Sequence, residues 1–156
     1  MRLHLLLPMA VAFLPTIAAA DNTAAADDKC VIAVSAGDGM AFNTRSIDVP
    51  LSCEQITVNF EHTGRLPKGG MGHNWVLTKS SDVNAVVQAG TAAGIANDFL
   101  PEDGDKVIAA TPLLGGGEKA SITFETSQLS ADNSYAFFCS FPGHSAMMRG
   151  TVNLVD

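Results

Sequence analysis

The sequence is poor in charge. Only 16% of its 156 residues are Asp, Glu, Lys or Arg, which excludes an acidic disordered tail. Cations are scarcer than anions, nine Lys and Arg against sixteen Asp and Glu, for a net charge of −7. Nucleic-acid binding needs a dense Lys/Arg face, so nucleic acid is excluded as a partner. No internal repeat and no second domain boundary is visible. No apolar run beyond residue 20 reaches membrane-spanning length, which leaves no membrane role for the mature chain. Cysteine is limited to Cys30, Cys53 and Cys139. Three cannot all pair with one another, so one thiol is left over.

The first twenty residues are different. Arg2 is followed by an apolar stretch containing Leu5-Leu6-Leu7, and Ala18-Ala19-Ala20 supplies small residues before Asp21. This order is that of a secretory signal peptide. A membrane anchor fits less well, because the run is short and broken by Pro8 and Pro15. A second small-residue site ends at Ala26, so cleavage after Ala20 or after Ala26 is open. The reading is a cleaved signal at 1–20, a flexible lead-in at 21–29 and one domain at 30–156. Export implies an oxidising compartment, where Cys30 and Cys53, each at the start of a strand-like run, can pair. Cys139 then remains free.

From Cys30 onward, short apolar runs alternate with turns. Ile56, Val58 and Phe60 alternate with polar residues, as do Ile122 with Phe124 and Val152 with Leu154. Period-two alternation predicts half-buried antiparallel strands, and many such strands predict an all-β sandwich or barrel. Turns are expected at Gly37-Asp38-Gly39, Pro67-Lys68-Gly69-Gly70 and Gly115-Gly116-Gly117. Val83, Val86 and Val87 instead recur at helical spacing. One short inserted helix is therefore expected within 81–96, capped by Ser81 or Asp82 and ended or interrupted by Gly90 and Gly94.

The chemistry concentrates near the C-terminus. Cys139, His144 and Met148 follow a strand-like Tyr135-Ala136-Phe137-Phe138, with a stiff Phe141-Pro142-Gly143 turn between them. Such a loop can bring a thiolate, an imidazole and a thioether to one point. A second imidazole must come from His62 or His73, the other histidines of the mature chain. Two imidazoles, a thiolate and a weak thioether suit copper cycling between Cu(I) and Cu(II), because soft sulfur favours Cu(I) and imidazole accepts both states. Taken singly, each residue has a plainer reading as a buried cysteine, a packing methionine or a hydrogen-bonded core histidine. Their joint spacing favours the metal.

At these residues the chain resembles the azurins, a family of blue-copper cupredoxins. The resemblance is carried by Met71-Gly72-His73-Asn74-Trp75-Val76-Leu77 and by the run Phe137-Phe138-Cys139-Ser140-Phe141-Pro142-Gly143-His144-Ser145-Ala146-Met147-Met148. Phe42-Asn43-Thr44, Leu66-Pro67-Lys68, Gly117-Glu118-Lys119 and the Cys30/Cys53 pair add to it. It implies an eight-stranded Greek-key β-sandwich with one helix outside. It implies one copper ion held by His73, Cys139 and His144, with Met148 as weak axial ligand and the Gly72 carbonyl on the opposite side. Asn74 would tie the ligand loops together, and the Phe141 N–H would hydrogen-bond the sulfur. Met40, Leu66, Met71, Phe141, Pro142 and Ala146 would form an apolar electron-transfer patch around His144. His62 would lie beneath the site, either as a proton-coupled switch or as a satisfied core histidine.

The expected function is thus that of a soluble periplasmic one-electron carrier, not an enzyme, acting as a monomer. The resemblance implies redox proteins as partners: a c-type cytochrome, a nitrite reductase or an amine dehydrogenase. Copper or zinc storage with the same ligands is the alternative, since thiolate and imidazole also suit Zn(II). A hydrolytic Cys139–His144 pair lacks any visible orienting residue or oxyanion hole, and leaves Met148 without a role.

Overall fold

The computed structural model describes residues 28–156. The expected signal peptide, both cleavage sites and residues 21–27 of the lead-in lie outside the described residues. Eight strands are found among the described residues: β1 (Val31–Ala36), β2 (Ser46–Pro50), β3 (Gln55–His62), β4 (Val76–Lys79), β5 (Ala109–Ala110), β6 (Lys119–Glu125), β7 (Tyr135–Phe138) and β8 (Arg149–Val155). They form a three-stranded sheet in the order β1-β3-β6 and a five-stranded sheet in the order β2-β8-β7-β4-β5.

The antiparallel expectation holds for β3 with β6 and for β7 with β8, but β1 pairs β3 in parallel and β2 pairs β8 in parallel. The reason is connectivity. The chain leaves one sheet after β1, crosses to the other for β2 and returns for β3, so β1 and β3 run the same way. The Cys30–Cys53 disulfide joins the starts of these two neighbours, with a Cα–Cα distance of 5.9 Å.

Alternation decides which side chains meet. Along β3, Ile56, Val58, Phe60 and His62 are buried while the residues between them are not. The run Tyr135-Ala136-Phe137-Phe138 is buried throughout because β7 is covered on both faces. Tyr135 and Phe137 pack between the sheets with Val34, Val58, Phe60, Trp75 and Leu77. Ala136 and Phe138 face the other way, against Val76, Val83 and Val86. That second cluster explains the inserted helix α2 (Val83–Ala93), whose Val83 and Val86 cover the outer face of the sheet. Gly94 ends α2 at φ 76°, where a left-handed backbone favours glycine. Gly90 does not interrupt it. A Cβ there would collide with the Phe99 carbonyl, so Gly90 lets the following strap lie on the helix. Asp82 stands at the N-cap without a side-chain capping bond, and its carboxylate lies 3.6 Å from Lys106 Nζ.

The expected turn at Pro67-Lys68-Gly69-Gly70 is instead a single helical turn, α1 (Lys68–Met71), in which the Pro67 carbonyl accepts from the N–H groups of Gly70 and Met71. No helix among the described residues is long and apolar enough to cross a membrane.

Candidate metal centre

The site grows out of strand parity. Tyr135, Phe137 and Cys139 share the inner face of β7 extended, and Leu77, Trp75 and His73 share the inner face of β4 extended. In the antiparallel register Val76 faces Phe138 and Leu77 faces Phe137. One step beyond the strand ends, Trp75 stands opposite Cys139, and a second step brings Asn74 opposite Ser140. The Asn74 Oδ1 accepts from the Ser140 N–H at 2.9 Å, and its Nδ2 donates to Ser140 Oγ at 2.8 Å and to the Asp98 carbonyl at 3.0 Å. Asn74 thus ties three chain segments together.

His73 is fixed on both sides of its backbone. Its N–H donates to the Leu114 carbonyl at 3.0 Å, and its carbonyl accepts from the Leu114 N–H at 2.8 Å. Its Nε2–H donates to the Gly37 carbonyl at 2.9 Å. That bond places the ring proton on Nε2 and leaves the Nδ1 lone pair facing the cluster. His144 arrives on the loop that leaves β7. The Cys139 N–H donates to the Met148 carbonyl at 3.0 Å, and the N–H groups of Met147 and Met148 donate to the His144 carbonyl at 3.0 and 2.8 Å. This closes the loop over ten residues, with Met148 fully buried in the same core as Cys139.

The His73, Cys139 and His144 donors all lie within 4.8 Å of one another and all three residues are buried. Metal–sulfur and metal–imidazole bonds of about 2.3 and 2.0 Å, set about 120° apart, separate S and N by about 3.7 Å. Cys139 Sγ lies 3.8 Å from His73 Nδ1 and 3.7 Å from His144 Nδ1. The three donors therefore fit one ion at their centre, and their chemistry fits copper. Sequence left the second imidazole open between His62 and His73; His73 is the one in the cluster.

The electrostatics favour a dry, neutral site before metal arrives. Burial pushes the Cys139 thiol up to about 11, opposed by the backbone N–H groups of Asn74 and Phe141 that face its sulfur. Burial brings His73 down to about 4, opposed by its bond to Gly37 and helped by the neighbouring His62 and His144. Burial also lowers His144. Each imidazole is thus a free base at neutral pH, and the thiol carries its proton.

His62 is buried and stacks on His73 at a centroid distance of 4.7 Å. Its Nε2 donates to the Met71 carbonyl at 2.8 Å, and its Nδ1 accepts from the Gly64 N–H at 3.1 Å. Both ring nitrogens are satisfied in the neutral form. At Gly72, a Cβ would strike the Lys68 carbonyl and come within 3.0 Å of the Leu113 side chain. Glycine is needed there for packing against α1, a reason the sequence did not show.

Of the six residues read as an apolar patch, Met40, Leu66, Pro142 and Ala146 are exposed, and Met71 and Phe141 are half-buried. The Phe141 ring lies 4.5 Å from His144. His144 itself is only 4% exposed. Met147, which is not one of those six, is the most exposed large apolar side chain among the described residues, at 60%. Phe99 was also missed. Asp98 and Phe99 both have φ of 54°, and the Phe99 ring packs edge-on against Phe141 at 5.2 Å. A Lys68–Asp98 ion pair of 2.7 Å and the Asn74–Asp98 bond hold this strap. No local motif signals these contacts, since Asn74, Lys68 and Phe141 are 24 to 42 residues away in the chain.

Comparison with known proteins agrees with this geometry. The family profile described as copper binding proteins, plastocyanin/azurin family, matches residues 28–155. The chain is 58% identical to an azurin from Methylobacillus flagellatus over 147 residues, covering 94% of this chain and 95% of that one. It is 50% identical to an azurin from Pseudomonas aeruginosa over 126 residues, covering 81% of this chain and 85% of that one. A solved structure of azurin iso-2 from Methylomonas sp. strain J superposes with a TM-score of 0.79 at 54% identity, covering 81% of this chain and 98% of that one.

Proposed function

The chain belongs to the plastocyanin/azurin family of copper-binding proteins, and from that premise we infer that it is a one-electron carrier built on a type 1 copper site. The observation that carries this is the buried His73–Cys139–His144 cluster, with sulfur-to-nitrogen spacing suited to a single ion. Copper held there would take up one electron from a donor as Cu(II) and pass it to an acceptor as Cu(I), and thiolate plus imidazole suit both states.

The residues around it perform the protein's part. Asn74 and Ser140 lock the two ligand loops together, so the donors move little when the charge changes. The N–H groups of Asn74 and Phe141 point at the sulfur and stabilise its negative form. Phe42 and Phe141 exclude water from the donors. Met148, buried in the same core as Cys139, would offer its thioether to the copper as a weak donor, and the Gly72 carbonyl would be a further weak donor. The electron leaves through His144, across the patch of Met40, Leu66, Met71, Phe141, Pro142 and Ala146. A small apolar patch suits brief encounters, because weak redox complexes use small interfaces. The partners are exported redox proteins. A c-type cytochrome is the class we propose first, with nitrite reductase and amine dehydrogenases as further candidates. The signal-like residues 1–20 support export to the periplasm with cleavage of that segment.

Stopped-flow mixing of the reduced copper protein with an oxidised c-type cytochrome tests this. Met40→Glu, at the patch, lowers the second-order rate about tenfold while leaving the potential unchanged, because a charge in an apolar contact must be desolvated. A rate equal to that of the unmodified protein would contradict the exit route. A protein that holds copper but passes no electron would favour storage.

A further inference from the structure

We propose that Asp38, which touches none of the metal donors, is a positioning residue for His73, acting through the Gly37 carbonyl. This rests on the reading of His73 as a metal ligand.

The Gly37 carbonyl accepts the His73 Nε2–H at 2.9 Å, and so sets the tautomer and tilt of that ring. The peptide carrying it lies beyond the end of β1 at Ala36, outside any strand. Two anchors hold it. Before Gly37, the Ala36 carbonyl accepts from the Thr63 N–H at 2.7 Å and from Thr63 Oγ1 at 3.1 Å. After Gly37, the Asp38 carboxylate accepts from the Arg65 N–H at 2.9 and 3.0 Å and from the Leu66 N–H at 2.9 Å. Both anchors sit on one loop, 63–66. That loop is itself tied down, because the His62 and Leu66 carbonyls accept from the N–H groups of Gly117 and Gly116 at 2.8 and 2.9 Å. The Gly37 carbonyl is thus stretched between two fixed points, and Asp38 supplies one of them.

Two further observations agree. The Leu66 N–H is the largest influence holding the Asp38 carboxyl below its ordinary range, although the side chain is exposed. Charge-assisted bonds to backbone N–H groups are the stronger kind. Gly64 also leaves room for the clamp, since a Cβ there would collide with the Asp38 carboxylate and the His62 ring.

The test uses the full chain labelled with 15N-histidine, both metal-free and loaded with Zn(II). Solvent exchange of the His73 Nε2–H is read by NMR, next to the urea midpoint. Asp38→Asn removes the charge and sets an NH2 group where the second carboxylate oxygen accepted from the Arg65 N–H, and exchange accelerates about tenfold or more, the fold-change expected for a lost charged hydrogen bond. Gly64→Ala keeps the carboxylate but takes its space, and gives the same acceleration. Thr126→Val removes a comparable side-chain bond, to the Cys53 carbonyl at 2.6 Å beyond the far end of β3. It lowers the urea midpoint and leaves the exchange unchanged. Exchange in Asp38→Asn within about twofold of the unmodified protein would overturn the proposal, as would equal acceleration in Thr126→Val. An Asp38→Asn chain that does not fold would overturn it too, since a positioning role requires a folded protein.

Discussion

Loading the metal-free protein with Zn(II) should release one proton per ion, and should still do so at pH 10. The perturbation is pH, and its effect follows from the cluster. The Cys139 thiol, held up at about 11 instead of its ordinary 9, keeps its proton until a metal takes the sulfur. At pH 10 a group of that strength is about nine-tenths protonated, whereas an ordinary thiol would be about one-tenth protonated. His73, near 4, and His144, also lowered, bring no protons of their own at this pH. Conditional Zn(II) affinity therefore climbs about tenfold per pH unit from pH 7 to pH 10, because each ion displaces one proton. Below about pH 4 the slope steepens as His73 begins to hold a second proton. Calorimetry in buffers of different ionisation enthalpy, with a competing chelator, reads both quantities. Zero release at pH 10 would refute the reasoning. It would mean that the N–H groups of Asn74 and Phe141 outweigh burial and that a thiolate exists before metal binds.

Acid should weaken the metal-free protein well before general acid unfolding. The folded His73 has its pKa lowered from 6.5 to about 4, so stability is full above pH 6.5 and is lost as pH falls towards 4, by roughly 3 kcal/mol. Urea midpoints at pH 7, 5 and 4 read this, and a flat profile would contradict it. Asn74→Ala should cost about 2–4 kcal/mol in urea unfolding, because it strands the buried Ser140 N–H and the Asp98 carbonyl; a loss below about 1 kcal/mol would show that the loops do not depend on it. Replacing both Cys30 and Cys53 by Ala, which frees a span of 23 residues, should lower stability by about 3 kcal/mol. The visible spectrum of the copper form should not change, since the disulfide lies at the opposite end of β3 from His62; an altered spectrum would contradict that separation.

The parts of this protein legible in its sequence are those with short-range signatures. Alternation along Ile56, Val58 and Phe60 is a local pattern, and so is the helical spacing of Val83, Val86 and Val87. The Cys139-x4-His144-x3-Met148 loop is legible for the same reason, because one tight turn closes it. What was hidden depends on residues far apart in the chain. The parallel pairing of β1 with β3 follows from two sheet crossings that no residue announces. Gly37 reaches His73 across 36 positions, and Phe99 reaches Phe141 across 42. The resemblance gives Gly72 only a carbonyl beside the metal, yet the visible constraint on it is the Lys68 carbonyl in a helical turn that Gly69 and Gly70 disguise as a loop. Asp38, in a Gly-Asp-Gly string, read as an ordinary turn. Its role emerges only when the 63–66 loop folds over it.

The central claim is that Cys139, His73 and His144 together bind copper as a reversible one-electron site. The visible absorption spectrum of the purified protein after addition of Cu(II), repeated after ascorbate and again after reoxidation, tests it most directly. The account predicts an intense blue band from the Cys139 sulfur to Cu(II) that bleaches on reduction and returns on oxidation. A folded protein with a free Cys139 thiol and no intense band would contradict it.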